Sequence, residues 1–310
     1  MKKLFKIGGR VILGAALCGC SYFAPAYAMD DMAAFREAIT MPAKAGIDGQ
    51  VLRESVSLYV PIGHAKLEFM AQTKQGTARV SGAVDVLLND DDGGTFTQNI
   101  PFYIDQNKTD MTIYYKTGKR WEKFQAPSLA AVLTDAIATP NKQEIEKQIA
   151  FVKDVKVVRE SNNQRTMFVR LDSNKVADAI KEYSEANPAD KGTADDKEVQ
   201  GTFMRWLDEG TRKADIWYMW TVDKNSWRTV TQSLDLSGIV RETAQAAMND
   251  KSVKWDPSVE DLLALIAYYS DMKEYTVFLD QKAEKKLELP KEAKNAVLVK
   301  DMIADPKAKK

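Results

Sequence analysis

The stretch Ile100-Pro-Phe-Tyr-Ile104, followed by Met111-Thr-Ile-Tyr-Tyr115 and the turn Thr117-Gly118-Lys119-Arg120, decides the fold class. Ile100, Phe102 and Ile104 recur at every second residue, and so do Met111, Ile113 and Tyr115. Successive side chains of an extended chain point to opposite faces, so this spacing predicts two strands sharing one buried face. Trp121 and Phe124 carry the pattern past the turn. Upstream it runs back through Val80, Val84, Val86 and Leu88, then Leu67, Phe69 and Ala71, then Val56, Leu58, Val60 and Ile62. The acidic turn Asn89-Asp90-Asp91-Asp92-Gly93-Gly94 separates two of these runs. Alternation with turn residues between runs predicts an antiparallel meander.

Helical spacing enters around this meander. Asp30 to Ile39 suits a short helix. Ser128 is placed to cap a second, with Leu129, Val132, Leu133, Ala136 and Ile137 on one face, ended by Thr139-Pro140. Val152–Glu160 and Arg165–Leu171 read as a hairpin about Asn162-Asn163, and Ser173 as the cap of a helix carrying Val176, Ile180 and Tyr183. Residues 188–199 are polar and read as a loop. Ile216–Val222 and Trp227–Leu234 form another hairpin, followed by a helix over Ser237–Met248. Ser258 with Asp261 reads as a capping box, Tyr275–Leu279 as the last strand, and Pro290 closes the folded pattern. Strands outnumber helices, and helices fall between hairpins rather than between every pair of strands. The expected class is α+β, a large antiparallel sheet with helices on one face, not a doubly wound parallel sheet with a nucleotide crevice.

Outside this region lies an export pattern. Lys2, Lys3, Lys6 and Arg10 precede the apolar Val11–Leu17, and Ala26-Tyr27-Ala28 offers small residues for cleavage after Ala28. Leu17-Cys18-Gly19-Cys20-Ser21 supplies the alternative, cleavage before Cys20 with lipid attached to its thiol. The two cysteines of the chain, Cys18 and Cys20, both lie here, so a chain cut after Ala28 has no disulfide and no thiolate. The expected organisation is a signal over 1–28, a single domain over 29–296 and a basic tail over 297–310. Cleavage removes four basic residues and leaves 40 against 44 acidic ones, a net charge of about −4. With basic residues clustered only at Lys307, Lys309 and Lys310, a nucleic-acid partner is not expected.

The chemistry-bearing residues are sparse. His64 is the sole histidine, so no zinc site of the usual kind can be assembled, and no metal or cofactor is expected. A nucleophilic triad would have to use His64, which reads as part of the turn Pro61-Ile62-Gly63-His64. There is no Gly-x-Ser-x-Gly elbow and no phosphate-binding glycine loop. Asp90-Asp91-Asp92 lacks the ligand spacing of a calcium loop. The aromatic residues say more. Ile216-Trp217-Tyr218-Met219-Trp220 and Tyr114-Tyr115 put large groups on both faces of their strands, which a strand with one wet face does not need. Either the sheet is covered on both sides, or one face lines a cavity or partner surface.

Met219-Trp-Thr-Val-Asp-Lys-Asn-Ser-Trp-Arg-Thr-Val230 resembles a late hairpin of the LolA/LolB/LppX-like envelope proteins, and Tyr114-Tyr-Lys-Thr-Gly-Lys-Arg-Trp-Glu-Lys-Phe124 resembles an earlier one. Leu289-Pro-Lys-Glu-Ala-Lys-Asn-Ala296 is similar to the close of the lipoprotein branch, and the layout agrees over residues 30–296. The resemblance implies a strongly curved antiparallel sheet, an unclosed half-barrel with helices on its concave face. It also implies a non-enzymatic envelope protein, periplasmic, extracellular or membrane-anchored through Cys20, holding a lipid or acyl chain between sheet and helices. Leu58, Phe69, Val86, Phe102, Tyr115 and Trp220 would line the sheet side if those strand faces are the concave ones. No catalytic residue is carried over. Two other classes stay open: a structural or protein-binding envelope module with its cavity collapsed around side chains, and an atypical hydrolase dependent on His64 or a carboxylate.

Overall fold

Each run of alternating apolar residues pairs with the next. The computed structural model describes residues 31–44, 50–74, 77–89, 94–107, 110–125, 142–186, 194–279 and 286–299. The export pattern with Cys18 and Cys20, the centre of the acidic turn, the helix expected over 128–137 and the end of the basic tail lie outside them.

The strands are β1 (Gln50–Val60), β2 (Gly63–Lys74), β3 (Thr77–Asn89), β4 (Thr95–Asn107), β5 (Asp110–Thr117), β6 (Arg120–Gln125), β7 (Val152–Glu160), β8 (Gln164–Leu171), β9 (Trp217–Asp223), β10 (Thr229–Asp235), β11 (Asp271–Leu279) and β12 (Val297–Leu298). They form one open twelve-stranded sheet in the order β12-β6-β5-β4-β3-β2-β1-β11-β10-β9-β8-β7. Two meanders, β1–β6 and β7–β11, meet where β1 pairs antiparallel with β11, Arg53 opposite Val277. The sheet is mixed rather than wholly antiparallel, because β12 runs parallel to β6. A two-residue strand has no alternation to read, so the sequence gives no sign of it.

The helices are α1 (Asp31–Lys44), α2 (Lys142–Ala150), α3 (Ser173–Ala186), α4 (Ala194–Lys213), α5 (Ser237–Asn249) and α6 (Pro257–Tyr269). Helix α4 begins inside the expected 188–199 loop: residues 194–199 are helical. Its polar sequence hides it, but Arg212 and Lys213 suit the last turn of a helix. The ion pairs Arg212–Asp208 (2.9 Å) and Lys213–Glu209 (2.7 Å) link successive turns. Two caps also move. Asp172 accepts the Asn174 N–H at 3.1 Å, while Ser173 Oγ donates to the Arg212 carbonyl at 2.9 Å. Asp256, not Ser258, caps α6 by accepting the Ser258 N–H at 3.0 Å, with Pro257 at the first helical position.

Helices pack against the sheet through one face, here called inner. Ala34, Phe35 and Ala38 of α1 join Val155, Met167, Val169, Tyr218, Trp220 and Val222 in a buried cluster over the β7–β10 half. A second cluster over β1–β5 holds Val56, Leu67, Phe69, Val80, Ile104 and Met111, with Leu236 and Val240 at the start of α5 packed on it. Ser237 ties that helix to β11: its Oγ donates to Asp271 Oδ1 at 2.7 Å and accepts the Met272 N–H at 2.9 Å. Helices α4 and α5 touch so closely at Gly210 that a side chain there would collide with Thr243.

The outer face is crossed by the C-terminal segment. The Leu287 N–H donates to Gln72 Oε1 on β2 at 2.7 Å, and the Val299 N–H reaches the Lys123 carbonyl on β6 at 2.9 Å. Between these anchors lies the 3-10 helix Lys291–Asn295 with Ala293 fully buried. Tyr103, an outer-face residue of β4 beneath this path, is 1% exposed. Burial and the Asp105 carboxylate raise its phenol's pKa.

Candidate functional site

Strand register places all six sequence-nominated residues on the inner face. A single transverse row runs Trp220, Gln232, Thr276, Glu54, Phe69, Gly82, Phe102, Tyr115, Glu122 from β9 to β6, each residue opposite the next. Leu58 and Val86 share that face, both paired with Ala65. Their surroundings differ. Trp220 belongs to the packed β7–β10 cluster, its ring edge-on to Phe35 at 5.4 Å and its Nε1 donating to Thr229 Oγ1 at 3.0 Å. Phe69 is buried in the other cluster, and Leu58, Val86, Phe102 and Tyr115 are half-buried beside it.

Gly82 explains how the row stays level. It sits between Phe69 and Phe102, and an added Cβ would lie 2.6 Å from the Phe69 Cβ and strike the Glu68 carbonyl oxygen. The Phe69 side chain therefore occupies the space above the glycine.

The row has one polar end. At β5–β6 the Tyr115 hydroxyl donates to Glu122 Oε2 at 2.9 Å, and Arg120 Nε donates to Glu122 Oε1 at 2.9 Å. Arg120 first, then Tyr115, hold the Glu122 carboxyl below its ordinary range. Burial and this carboxylate push the Tyr115 phenol up to about 12. Toward the middle of the sheet lies a polar seam. Glu54 and Glu274 are each 2% exposed, flanked by buried Gln232 and Thr276. Both residues have partners within the fold, as burial demands of a polar side chain. The seam separates the two apolar clusters. The sequence carried a sign of it: Glu54 falls in phase with Leu52, Val56 and Leu58, and Glu274 with Met272 and Phe278. An acidic residue at an apolar-phase position is the anomaly to look for.

The two-faced strand Trp217–Asp223 resolves into one packed face and one half-open face. Tyr218, Trp220 and Val222 are buried, whereas Trp217 and Met219 are half-buried on the outer side. Trp217 stacks there on Phe168 at 5.2 Å. Burial raises the pKa of the Tyr218 phenol well above its ordinary value.

His64 lies in β2 rather than in the turn, opposite Tyr59, with ring centroids 5.6 Å apart. Among the described residues no three His, Cys, Asp or Glu side chains gather as a metal site would require. A cleft of about 290 Å³ opens between α3 and α4, lined by Ala177, Ile180, Met204, Lys181, Arg205 and Asp208 among others. It belongs to the helical layer and not to the inner sheet face. No described helix is long and apolar enough to cross a membrane.

No protein-family profile matches the chain, and no curated protein matches it. Among solved structures, the lipoprotein LppX of Mycobacterium tuberculosis aligns over 82% of this chain and 96% of its own, at 8% identity and a TM-score of 0.35. The resemblance to that lipoprotein is weak and lies at the level of the fold.

Proposed function

We propose that the protein is a non-enzymatic cell-envelope protein that holds a hydrophobic ligand, a lipid or acyl chain, against the inner face of β1–β6. The supporting observation is the half-buried apolar surface around Leu58, Val86, Phe102 and Ile113, bounded by the Glu54–Glu274 seam on one side and the Tyr115–Glu122–Arg120 group on the other. Apolar walls with polar borders suit an amphiphile, whose chain lies on the strands and whose head meets a polar margin. Each buried methylene contributes about 0.8 kcal/mol, so a dozen of them provide roughly 10 kcal/mol before ordering costs. Native mass spectrometry of gently purified protein is expected to show a bound amphiphile, and Phe102→Asp to lose it. Ligand-free protein that also ignores fluorescent fatty acids would overturn the reading.

A second reading rests on the other half of the sheet, where Phe35 fills the space over Trp220. There the inner face is closed by side chains, as in a structural or protein-binding module. Co-purification of one envelope protein with no lipid would favour it. Export belongs to the same proposal. The intact mass of the mature chain separates a free carrier starting at Met29 from an anchored one starting at a lipidated Cys20.

A further inference from the structure

Among the described residues, the sheet meets solvent along three stretches of edge, and two of them are guarded. On β7 the exposed Lys153, Asp154, Lys156, Arg159 and Glu160 accompany register shifts at Val152/Asp154 and Val157/Arg159. Charges and bulges of this kind prevent further strand pairing. On β6 the edge is occupied by β12.

The third stretch belongs to β4. This strand has 13 residues and β5 has eight, and their pairing spans only Phe102–Asn107. Thr95 to Asn99 are exposed, with Phe96 at 53%. The stretch carries no charge, and its register with β3 is unbroken from Asn89–Thr95 to Ala83–Pro101. The backbone there is poised for a partner. The pairs Lys74–Thr77 and Asn107–Asp110 flank two-residue connections and are therefore hydrogen-bonded pairs. By alternation, the odd-numbered residues of β4 turn their N–H and C=O away from β3. Thr95, Thr97 and Asn99 thus present these groups to solvent, and Pro101, with no N–H, ends the run.

We infer that this edge pairs antiparallel with the same edge of a second copy of the chain, about a two-fold axis at Gln98. In that register Thr97 faces Asn99, Phe96 faces Ile100 and Gln98 faces its own copy. Every pair is neutral, and the exposed Phe96 of each copy is covered by the half-buried Ile100 of the other. The self-complementary pattern is what selects a second copy over an unrelated strand. Phe96, Gln98 and Ile100 lie on the inner face, so pairing runs the inner faces of two molecules into one sheet. This inference stands whether or not a lipid is bound.

Sedimentation velocity of the full chain across a wide concentration range tests it, with a reversible dimer expected. Gln98→Lys places like charges directly opposite each other and is expected to weaken the dimer about tenfold or more, with an unchanged melting curve. In a Cys18→Ser, Cys20→Ser background, Gln98→Cys is expected to give a disulfide-linked dimer under mild oxidation, whereas Lys251→Cys, in an exposed turn, does not. A chain monomeric at every concentration, with Gln98→Cys cross-linking no faster than Lys251→Cys, overturns the inference. Cross-linking only to a different protein overturns it too, and assigns the edge to that partner.

Discussion

At the scale of single residues, a tightly constrained position is Gly82, which leaves room for Phe69 in the middle of the inner face. Gly82→Ala is expected to cost about 1–3 kcal/mol through forced displacement of Phe69 and the β2 backbone, read as a lower urea midpoint with unchanged slope. Asp250 makes a pH-dependent contribution. It accepts from Trp206 Nε1 at 2.7 Å, from the Ser252 N–H at 2.9 Å and from Ser252 Oγ at 2.6 Å, and it pairs with Arg205. Ser252 first and then Trp206 lower its pKa to about 2. Because the folded value lies below the ordinary one, the stabilisation is full above about pH 4 and is lost as pH falls through about 2. Asp250→Asn is therefore expected to lower the melting temperature at neutral pH, and the two melting curves should converge near the acid limit. Residue-scale legibility was uneven. Alternation fixed which residues share a face within each strand, but that Leu58, Phe69, Val86, Phe102, Tyr115 and Trp220 lie on one face of the sheet was an assumption that only the strand register could test. Nor could alternation show that Trp220 is packed by Phe35, since α1 and β9 are brought together only by the tertiary fold.

Among the elements, the C-terminal segment is the least conventional. Pro290 reads as a terminus, yet the chain continues through a 3-10 helix into β12 and guards the β6 edge. Truncation after residue 285 is expected to uncover Tyr103 and to lower the melting temperature, with Tyr103 gaining accessibility to a chemical tyrosine probe while helix content is retained. Helix α1 has the opposite character, a short amphipathic element that fills a core. Phe35→Ala is expected to cost about 3–5 kcal/mol, measured by denaturant unfolding, and to change the fluorescence of Trp220, its ring neighbour. The hairpins were readable almost to the residue, because turn residues and alternation agree there. Helix α4 was not, because its charged surface resembles a solvated loop until its pairs at i and i+4 are seen in space. The caps of α3 and α6 shifted by one and two residues, since Asp competes with Ser for the same N–H groups.

The whole molecule is two meanders sharing one sheet, with a polar seam of Glu54, Glu274, Gln232 and Thr276 where they meet. The class and the strand sequence were legible, as both follow from the order of local patterns. The joint was not, because pairing β1 with β11 is a choice among distant strands that no local pattern records. That joint carries a kinetic consequence. Arg53 meets Val277, so the first strand must wait for nearly the whole chain before its second neighbour exists. Contacts of such long separation are made slowly. A chain released N-terminus first, from a ribosome or a membrane pore, presents the β1 edge bare until the last long strand arrives, and an escort binding that strand in the interval would govern its yield.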